Sequence, residues 1–84
     1  MANFQTFSFS AVQKITNVGS TIRKAFLTVE DQNIRFRFDQ GVPTATLGHL
    51  LEVGDVLVLE SNSEITNLQM IPVTGTAEVN VTLL

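Results

Sequence analysis

The sequence predicts an all-β fold, a small antiparallel β-sandwich or jelly-roll-like barrel of about seven to eight strands. Val, Thr, Ile and Phe dominate the chain, and no segment carries the apolar stripe of period 3.6 that marks an amphipathic helix. Short apolar segments recur at intervals of about 8–12 residues. Clusters of Gly, Pro, Asn, Asp and Ser separate them. Residues 1–84 are therefore interpreted as one domain without a linker or an internal repeat.

The turn residues divide the chain into eight predicted strands. They span residues 6–10, 11–16, 22–30, 33–39, 45–51, 56–60, 65–70 and 76–83. The turns after residues 39 and 53 contain Gly and Asp, and the first also contains Pro43. These residues are interpreted as backbone devices, because Gly allows positive φ, Pro fixes φ and Asp binds nearby amides.

The first ten residues contain three of the six phenylalanines and no charged residue. Phe4 is out of phase with Phe7 and Phe9, so one strand cannot place all three rings on a single face. At least one ring is therefore expected on a different surface. Residues 1–10 are interpreted as an N-terminal arm or edge strand that adds to a neighbouring sheet. The alternative is an ordinary first strand with Phe4 at the rim of its own domain.

The third and fourth strands alternate apolar and polar residues, so each has one apolar face. A two-residue turn at residues 31–32 predicts a hairpin in which Val29 pairs with Ile34 and Leu27 pairs with Phe36. The opposite face of this hairpin then carries a mixed basic surface, made of Lys24, Phe26, Thr28, Arg35 and Arg37.

The later strands complete the predicted core. Residues 56–59 form an apolar run after the turn at Gly54-Asp55, and residues 76–83 alternate apolar and polar side chains almost to the last residue. The end of the chain is therefore expected to lie in a sheet. The residues expected to be buried are Leu27, Val29, Ile34, Phe36, Phe38, Leu57, Leu59, Val79 and Val81.

Charge is sparse and unevenly placed. Charged residues make up 15% of the chain, against about 25% in typical domains. Burial of some surface against a partner is therefore expected, the alternative being a monomer coated in Thr, Ser and Asn. All five basic residues precede residue 38, and six of the eight acidic residues follow it. If the two sets occupy different surfaces, neighbouring copies attract head to tail; in the alternative, the sandwich interleaves them.

Residues suited to catalysis or metal binding are few. His49 is the only histidine, and although Asp39 or Asp55 is available to orient it, no Gly-x-Ser-x-Gly nucleophile motif accompanies it. His49 is therefore interpreted as a structural hydrogen-bonding residue. The chain has no cysteine and its acids are spread singly, so a Ca²⁺ between loops is the only metal alternative. The prediction is a non-enzymatic protein with no catalytic residue, no cofactor and no metal.

Other binding functions and a membrane location are also disfavoured. Nucleic-acid binding needs a basic face with aromatic platforms, whereas the net charge is −3 and Phe36 and Phe38 point away from the neighbouring arginines. Carbohydrate binding usually relies on Trp or Tyr, and the chain has neither. The first residues do not resemble a signal peptide, and no segment is long enough to span a bilayer. Synthesis in a cytoplasm without a membrane partner is expected.

An ordered set of strand and turn residues runs through the second half of the chain. It consists of Ile34-Arg35-Phe36-Arg37-Phe38-Asp39, Gly41, Pro43-Thr44, Thr46, Gly48-His49, Gly54-Asp55, Leu57, Leu59, Asn67-Leu68, Ile71, Val73-Thr74-Gly75-Thr76-Ala77 and Val79-Asn80-Val81-Thr82. In this order the set resembles a family of small proteins encoded among the virion-structure genes of tailed bacteriophages. The chain departs from that family at Gln40, where a second Gly is expected before Gly41.

The resemblance implies a non-enzymatic virion component. The leading interpretation is a capsid decoration (cement) protein, made in the host cytoplasm and placed on the capsid surface of the virion. Its expected partners are the major capsid protein and copies of itself, as a trimer or a dimer. The candidate partner-binding residues are Phe4, Phe7, Phe9, Arg35 and Arg37. The alternatives are a tail or neck structural component and a small ligand-binding β-sandwich for a sugar on the host surface.

Overall fold

A computed structural model describes residues 3–84 as two four-stranded antiparallel sheets that pack together. Strands account for 46% of the chain and helix for 7%, which confirms the predicted all-β sandwich. The elements in chain order are β1 (Asn3–Phe9), β2 (Gln13–Lys14), β3 (Ala25–Val29), β4 (Ile34–Arg37), β5 (His49–Leu51), β6 (Val56–Leu59), α1 (Asn62–Asn67), β7 (Gln69–Pro72) and β8 (Ala77–Leu83).

The sheet with strand order β1-β8-β3-β6 is called the front sheet, and the sheet with order β2-β7-β4-β5 is called the back sheet. The last strand, β8, lies inside the front sheet. It pairs with the whole of β1, from Asn3–Leu83 to Phe9–Ala77, and on its other side with β3. Its residues alternate between buried and half-buried positions, because one face meets the core and the other meets solvent.

The predicted hairpin between β3 and β4 is wrong. β3 pairs with β6 and β8 in the front sheet, whereas β4 pairs with β5 and β7 in the back sheet. The turn at residues 31–32 therefore crosses between the sheets. Alternation places both apolar faces in one core in either arrangement, so it does not distinguish a hairpin from a crossing. Phe26 and Thr28 consequently lie on the outer face of the front sheet, whereas Arg35 and Arg37 lie on the outer face of the back sheet. The predicted mixed basic surface therefore does not form.

The predicted strand at residues 65–70 is also wrong in its first half, which lies in helix α1. Ser61 is the N-cap of this helix, and its hydroxyl accepts a hydrogen bond from the Glu64 backbone N–H. This is the start signal of a Ser-x-x-Glu sequence. Ile65 and Leu68 are fully buried beneath the helix. Asn62 donates two hydrogen bonds from its amide, to the Gly19 and Ile22 carbonyls, and so joins the helix to the loop before β3.

Two further strands are shorter than predicted because of local turns. Residues 11–16 contain only β2, and Asn17 follows it with a φ of 60° that ends the extended segment. Residues 45–51 contain only β5. The residues before β5 form a tight turn, in which Thr44 and Leu47 exchange backbone hydrogen bonds of 2.9 and 3.2 Å.

The core lies between the two sheets. Seven of the nine residues predicted to be buried are buried, while Phe38 and Leu57 are partly buried at its margin. Phe38 lies just beyond the end of β4, and Leu57 lies on an edge strand. Within residues 3–84 no charged or polar residue is buried, so packing of apolar side chains is the main source of stability. Ile65, Leu68 and Met70 belong to this core although their burial was not predicted.

Candidate interaction surfaces

The outer surface of the front sheet carries exposed apolar side chains in one row. Phe4, Thr82, Phe26 and Val58 are aligned across the four strands by the strand register. Phe4 is 64% exposed, Phe26 43% and Val58 41%. Val56, also exposed, lies two residues before Val58 and therefore on the same face. These residues, Phe4, Phe26, Val56 and Val58, are called the front patch.

On one side, the front patch is bordered by polar, uncharged side chains. The next row of the sheet contains Thr6, Asn80 and Thr28, and the Thr6 hydroxyl donates a hydrogen bond of 2.8 Å to the Asn80 side-chain oxygen. On this side, charge begins one row further on, at Glu30 and Glu78. On the other side of the patch, the adjacent row contains the exposed Lys24 and Glu60. Exposed apolar residues that form a continuous surface rimmed by polar groups are typical of interaction sites.

The outer surface of the back sheet is basic. Lys14, Gln69 and Arg37 lie in one row and Ile71, Arg35 and Leu50 in the next. Arg35 donates a hydrogen bond of 3.1 Å to the Gly48 carbonyl, which holds its side chain along the sheet and links β4 to the start of β5. Arg35 is therefore less available to a partner than an exposed arginine.

Arg37 is held by Asp39. Its Nε and Nη2 donate to the two carboxylate oxygens at 3.0 and 2.8 Å, and the same carboxylate accepts the Gly41 backbone N–H at 3.1 Å. The hydrogen bond from Arg37, followed by that from Gly41, lowers the pKa of Asp39 from 3.8 to about 2. A Cβ at position 41 would collide with the Arg37 guanidinium, so Gly41 is needed for this pair. The pair closes the turn after β4.

A cavity of about 320 Å³ opens beside this turn. It is lined by Arg37, Phe38, Asp39, Leu47, Gly48 and His49. The His49 ring lies 5.3 Å from the Phe36 ring and 6.3 Å from the Phe38 ring, measured between centroids. Asp39 lines the cavity but is engaged by Arg37, and Asp55 bonds the Glu52 amide instead. Within residues 3–84 the His49 side chain contacts no hydroxyl or carboxylate through a hydrogen bond, so no base–nucleophile pair is assembled.

Acidic residues cluster at one end of the sandwich. Five carboxylates lie at one end, on the loops after β3 and β5 and near the start of β8, namely Glu30, Asp31, Glu52, Asp55 and Glu78. Backbone hydrogen bonds hold these loops together, for example from Gly54 to Val29 and from Val73 to Asn33. Arg23 and Lys24 lie at the opposite end, where their backbone N–H groups donate to the Leu84 carbonyl. Glu60 lies at this end as well, beside Lys24, so acidic residues occur at both ends of the sandwich.

The five predicted partner-binding residues do not form one site. Phe4 lies in the front patch, whereas Phe7 is half-buried against the core and Phe9 is buried. Arg35 and Arg37 lie on the opposite face of the sandwich. The expectation that Phe4 meets a different surface from Phe7 and Phe9 agrees with this placement.

Three members of the front patch were absent from the predicted site, and strand phase identifies each of them. Phe26 lies between the buried Ala25 and Leu27, and Val56 and Val58 are out of phase with the buried Leu59. A residue out of phase with a buried neighbour must face outward. The apolar run at residues 56–59 resembles a strand buried on both faces, which concealed this signal.

Within residues 3–84 no group of three or more His, Asp or Glu side chains is close enough to hold a metal ion. The same part of the chain has no helix long and apolar enough to cross a membrane. Comparison of the chain with protein-family models, curated proteins and solved structures finds no match.

Proposed function

We propose that this protein is a non-enzymatic capsid decoration protein of a tailed bacteriophage, which binds the assembled head in many copies and stabilises the shell. Two things support the proposal. One is the resemblance of residues 34–82 to small virion proteins. The other, which carries the structural argument, is the front patch, a group of exposed apolar side chains on one face of the front sheet.

The physical chemistry of the front patch suits docking onto a protein surface. Full burial of a Phe or Val side chain contributes about 1.5–3 kcal/mol. The side chains in the patch retain about half of their exposure, so each contributes less than that on binding. The surrounding Thr and Asn side chains form hydrogen bonds without the desolvation cost of a charge. One copy therefore gains a modest affinity, and many copies on a repeating shell add to its stability.

The position of the patch favours rigid docking. Its side chains project from three strands of a four-stranded sheet, and strand β8, which lies between two of them, is paired on both sides. Binding then orders few additional groups, which lowers the entropic cost of association. A decoration protein acts through such contacts alone, by bridging neighbouring capsid subunits, and needs no reactive group.

The second candidate is a small ligand-binding sandwich, and the cavity beside His49 is the observation that favours it. Its volume of about 320 Å³ falls at the lower end of the range for small-molecule sites. The cavity offers two aromatic rings, but its arginine is already paired with Asp39. A tail or neck component of the same virion remains the third candidate and would use the front patch in the same way.

Co-sedimentation separates these functions. The protein is mixed with phage heads assembled without it, or with isolated tails, and the pellet is analysed. Binding to heads is expected, with Phe26→Thr reducing affinity about fivefold, since burial of the exposed part of the ring contributes about 1 kcal/mol. Leu50→Thr is the matched control, because Leu50 is equally exposed, at 45%, on the back sheet. Pelleting with tails alone, or wild-type binding of Phe26→Thr, contradicts the proposal.

A further inference from the structure

The four edge strands of the sandwich are unequal. The edges of the back sheet, β2 and β5, have only two and three residues, so they offer little backbone for pairing. The edges of the front sheet are longer, with seven residues in β1 and four in β6. Long exposed edges are templates for pairing with another chain, and proteins usually protect them.

The register shows which backbone groups are free along β1. The Glu30 N–H donates to the Glu78 carbonyl and the Leu84 N–H to the Lys24 carbonyl, so even-numbered residues of β8 bond β3. Backbone groups alternate sides along a strand, so odd-numbered residues of β8 bond the odd-numbered residues of β1. The N–H and C=O groups of residues 4, 6 and 8 therefore point away from the sheet. No backbone hydrogen bond joins them to another segment within residues 3–84.

The edge at β6 is protected, whereas the edge at β1 is not. Asp55 and Glu60 flank β6, and its start is irregular because Gly54 and Asp55 both bond Val29. No charged residue and no proline occurs from Asn3 to Gln13, and the register of β1 on β8 is uninterrupted. β1 therefore lacks the charge, the proline and the bulge that keep many edge strands unpaired.

We propose that two copies of this chain associate by antiparallel pairing of their β1 edges about a two-fold axis at Thr6. In this register Phe4 lies opposite Ser8 of the second copy, and the two Thr6 residues lie opposite each other. The free N–H and C=O groups at positions 4, 6 and 8 of each copy then pair reciprocally. Facing threonines form favourable cross-strand pairs. The result is a continuous eight-stranded front sheet, within the usual size range of open sheets.

The other two edge pairings are disfavoured, one by charge and the other because the assembly does not close. Pairing of β6 with a second β6 brings Asp55 of one copy near Glu60 of the other, and like charges close together are destabilising. Pairing of β6 with β1 leaves a free edge at each end of the assembly, so it does not close. The two-fold pairing of β1 closes after two copies. It uses backbone groups at the sheet edge rather than the front patch side chains, so it stands independently of the proposed capsid function.

The two-fold axis runs perpendicular to the sheet, which has a consequence for the front patch. Both patches then face the same side of the dimer, with the two Phe4 rings nearest the junction. A flat partner surface would meet both patches together, and the second contact would be effectively intramolecular.

Single-cysteine variants test the pairing directly, since the chain has no cysteine of its own. Facing residues of a hydrogen-bonded pair have a Cα separation of about 5.5 Å, which a disulfide spans. Thr6→Cys is expected to form a covalent dimer under mild oxidation, and Val58→Cys, at the β6 edge, is expected to form no covalent dimer under the same conditions. A cross-link in Val58→Cys alone, or only in a mixture of the two variants, overturns the proposal.

Sedimentation equilibrium provides the reversible test. The unmodified protein is expected at twice the 9.2 kDa mass of one chain. Thr6→Lys places two like charges opposite each other and is expected to yield monomer, while Val58→Lys, the same change at the other edge, leaves the dimer intact. Melting curves verify that both variants are folded. A monomeric wild-type protein, or a Thr6→Lys variant that dimerises as the wild type does, overturns the proposal.

Discussion

Phe4 and Phe26 lie in one row of the front sheet, on the two sides of Thr82, and both rings are exposed to solvent. They are far apart in sequence, and β8 brings them together. Two of the six phenylalanine rings are thus exposed on one face, and an exposed apolar patch of this kind is typical of a surface that a partner covers. This arrangement of the two rings supports the proposed function.

The first prediction contrasts a buried ring with an exposed one. Phe36 is 6% exposed, and Phe36→Ala is expected to lower the free energy of unfolding by about 3–5 kcal/mol. Phe26→Ala removes the same atoms from the surface and is expected to cost less than about 1 kcal/mol. Urea unfolding measures both. A loss below about 1 kcal/mol for Phe36→Ala would mean that the back sheet does not pack as described.

The second prediction concerns the pH dependence of stability at low pH. The pKa of Asp39 falls from 3.8 to about 2 on folding because Arg37 and Gly41 donate to its carboxylate. A lowered pKa stabilises the fold above the unfolded pKa, and this contribution is lost as the pH falls through the folded value. The difference in melting temperature between wild type and Asp39→Asn is therefore expected to be constant near neutral pH and to shrink below about pH 4.

A carboxyl titration followed by NMR gives the matching control. In Arg37→Gln the midpoint for Asp39 is expected to move from about 2 back toward 3.8. An unchanged midpoint in this variant would show that Arg37 is not the main cause of the shift.

The third prediction concerns the backbone conformation of Gln40. Gln40 has a φ of 70°, a left-handed conformation that costs a residue with a Cβ about 1–2 kcal/mol. Gln40→Gly removes that strain but adds freedom to the unfolded chain, so a net stabilisation of about 0.5–1 kcal/mol is expected. Gln40→Ala keeps the Cβ and should not stabilise the protein. Equal melting temperatures for the Gly and Ala variants would show that the backbone conformation of Gln40 does not destabilise the protein.

The fourth prediction tests the helix that was mistaken for a strand. Ser61→Ala removes the acceptor of the Glu64 N–H and is expected to cost about 1 kcal/mol. Ser63→Ala lies within the same helix and serves as the control, with a smaller loss expected because it removes only the 3.3 Å contact between the two serine hydroxyls. If both changes have the same effect in thermal unfolding, the capping hydrogen bond does not stabilise the helix.

Alternation in the sequence predicted the parts of the fold in which one strand face is buried. The β8 pattern and the burial of Leu27, Val29 and Ile34 follow from period-two alternation alone. The pairing of β3 with β8 rather than β4 does not follow, because it depends on which distant strands fill the sheet. Helix α1 is short, so its apolar period was hidden, and only the Ser61–Glu64 capping pattern marked it.

The candidate surfaces were predicted only in part. Phe4 was identified because it is out of phase with Phe7 and Phe9, a local property of one strand. Its neighbours Phe26 and Val58 reach it through the register of three other strand pairs, which no local pattern contains. Arg35 and Arg37 were placed beside Phe26 only because the crossing at residues 31–32 was taken for a hairpin.

A reconstruction of the virion by electron cryomicroscopy tests the central claim most directly. Copies of this protein are expected on the outside of the head, with the front sheet and its Phe4 and Phe26 rings against the major capsid protein. Absence of the protein from the head, or copies docked through the back sheet with the front patch facing solvent, would contradict it.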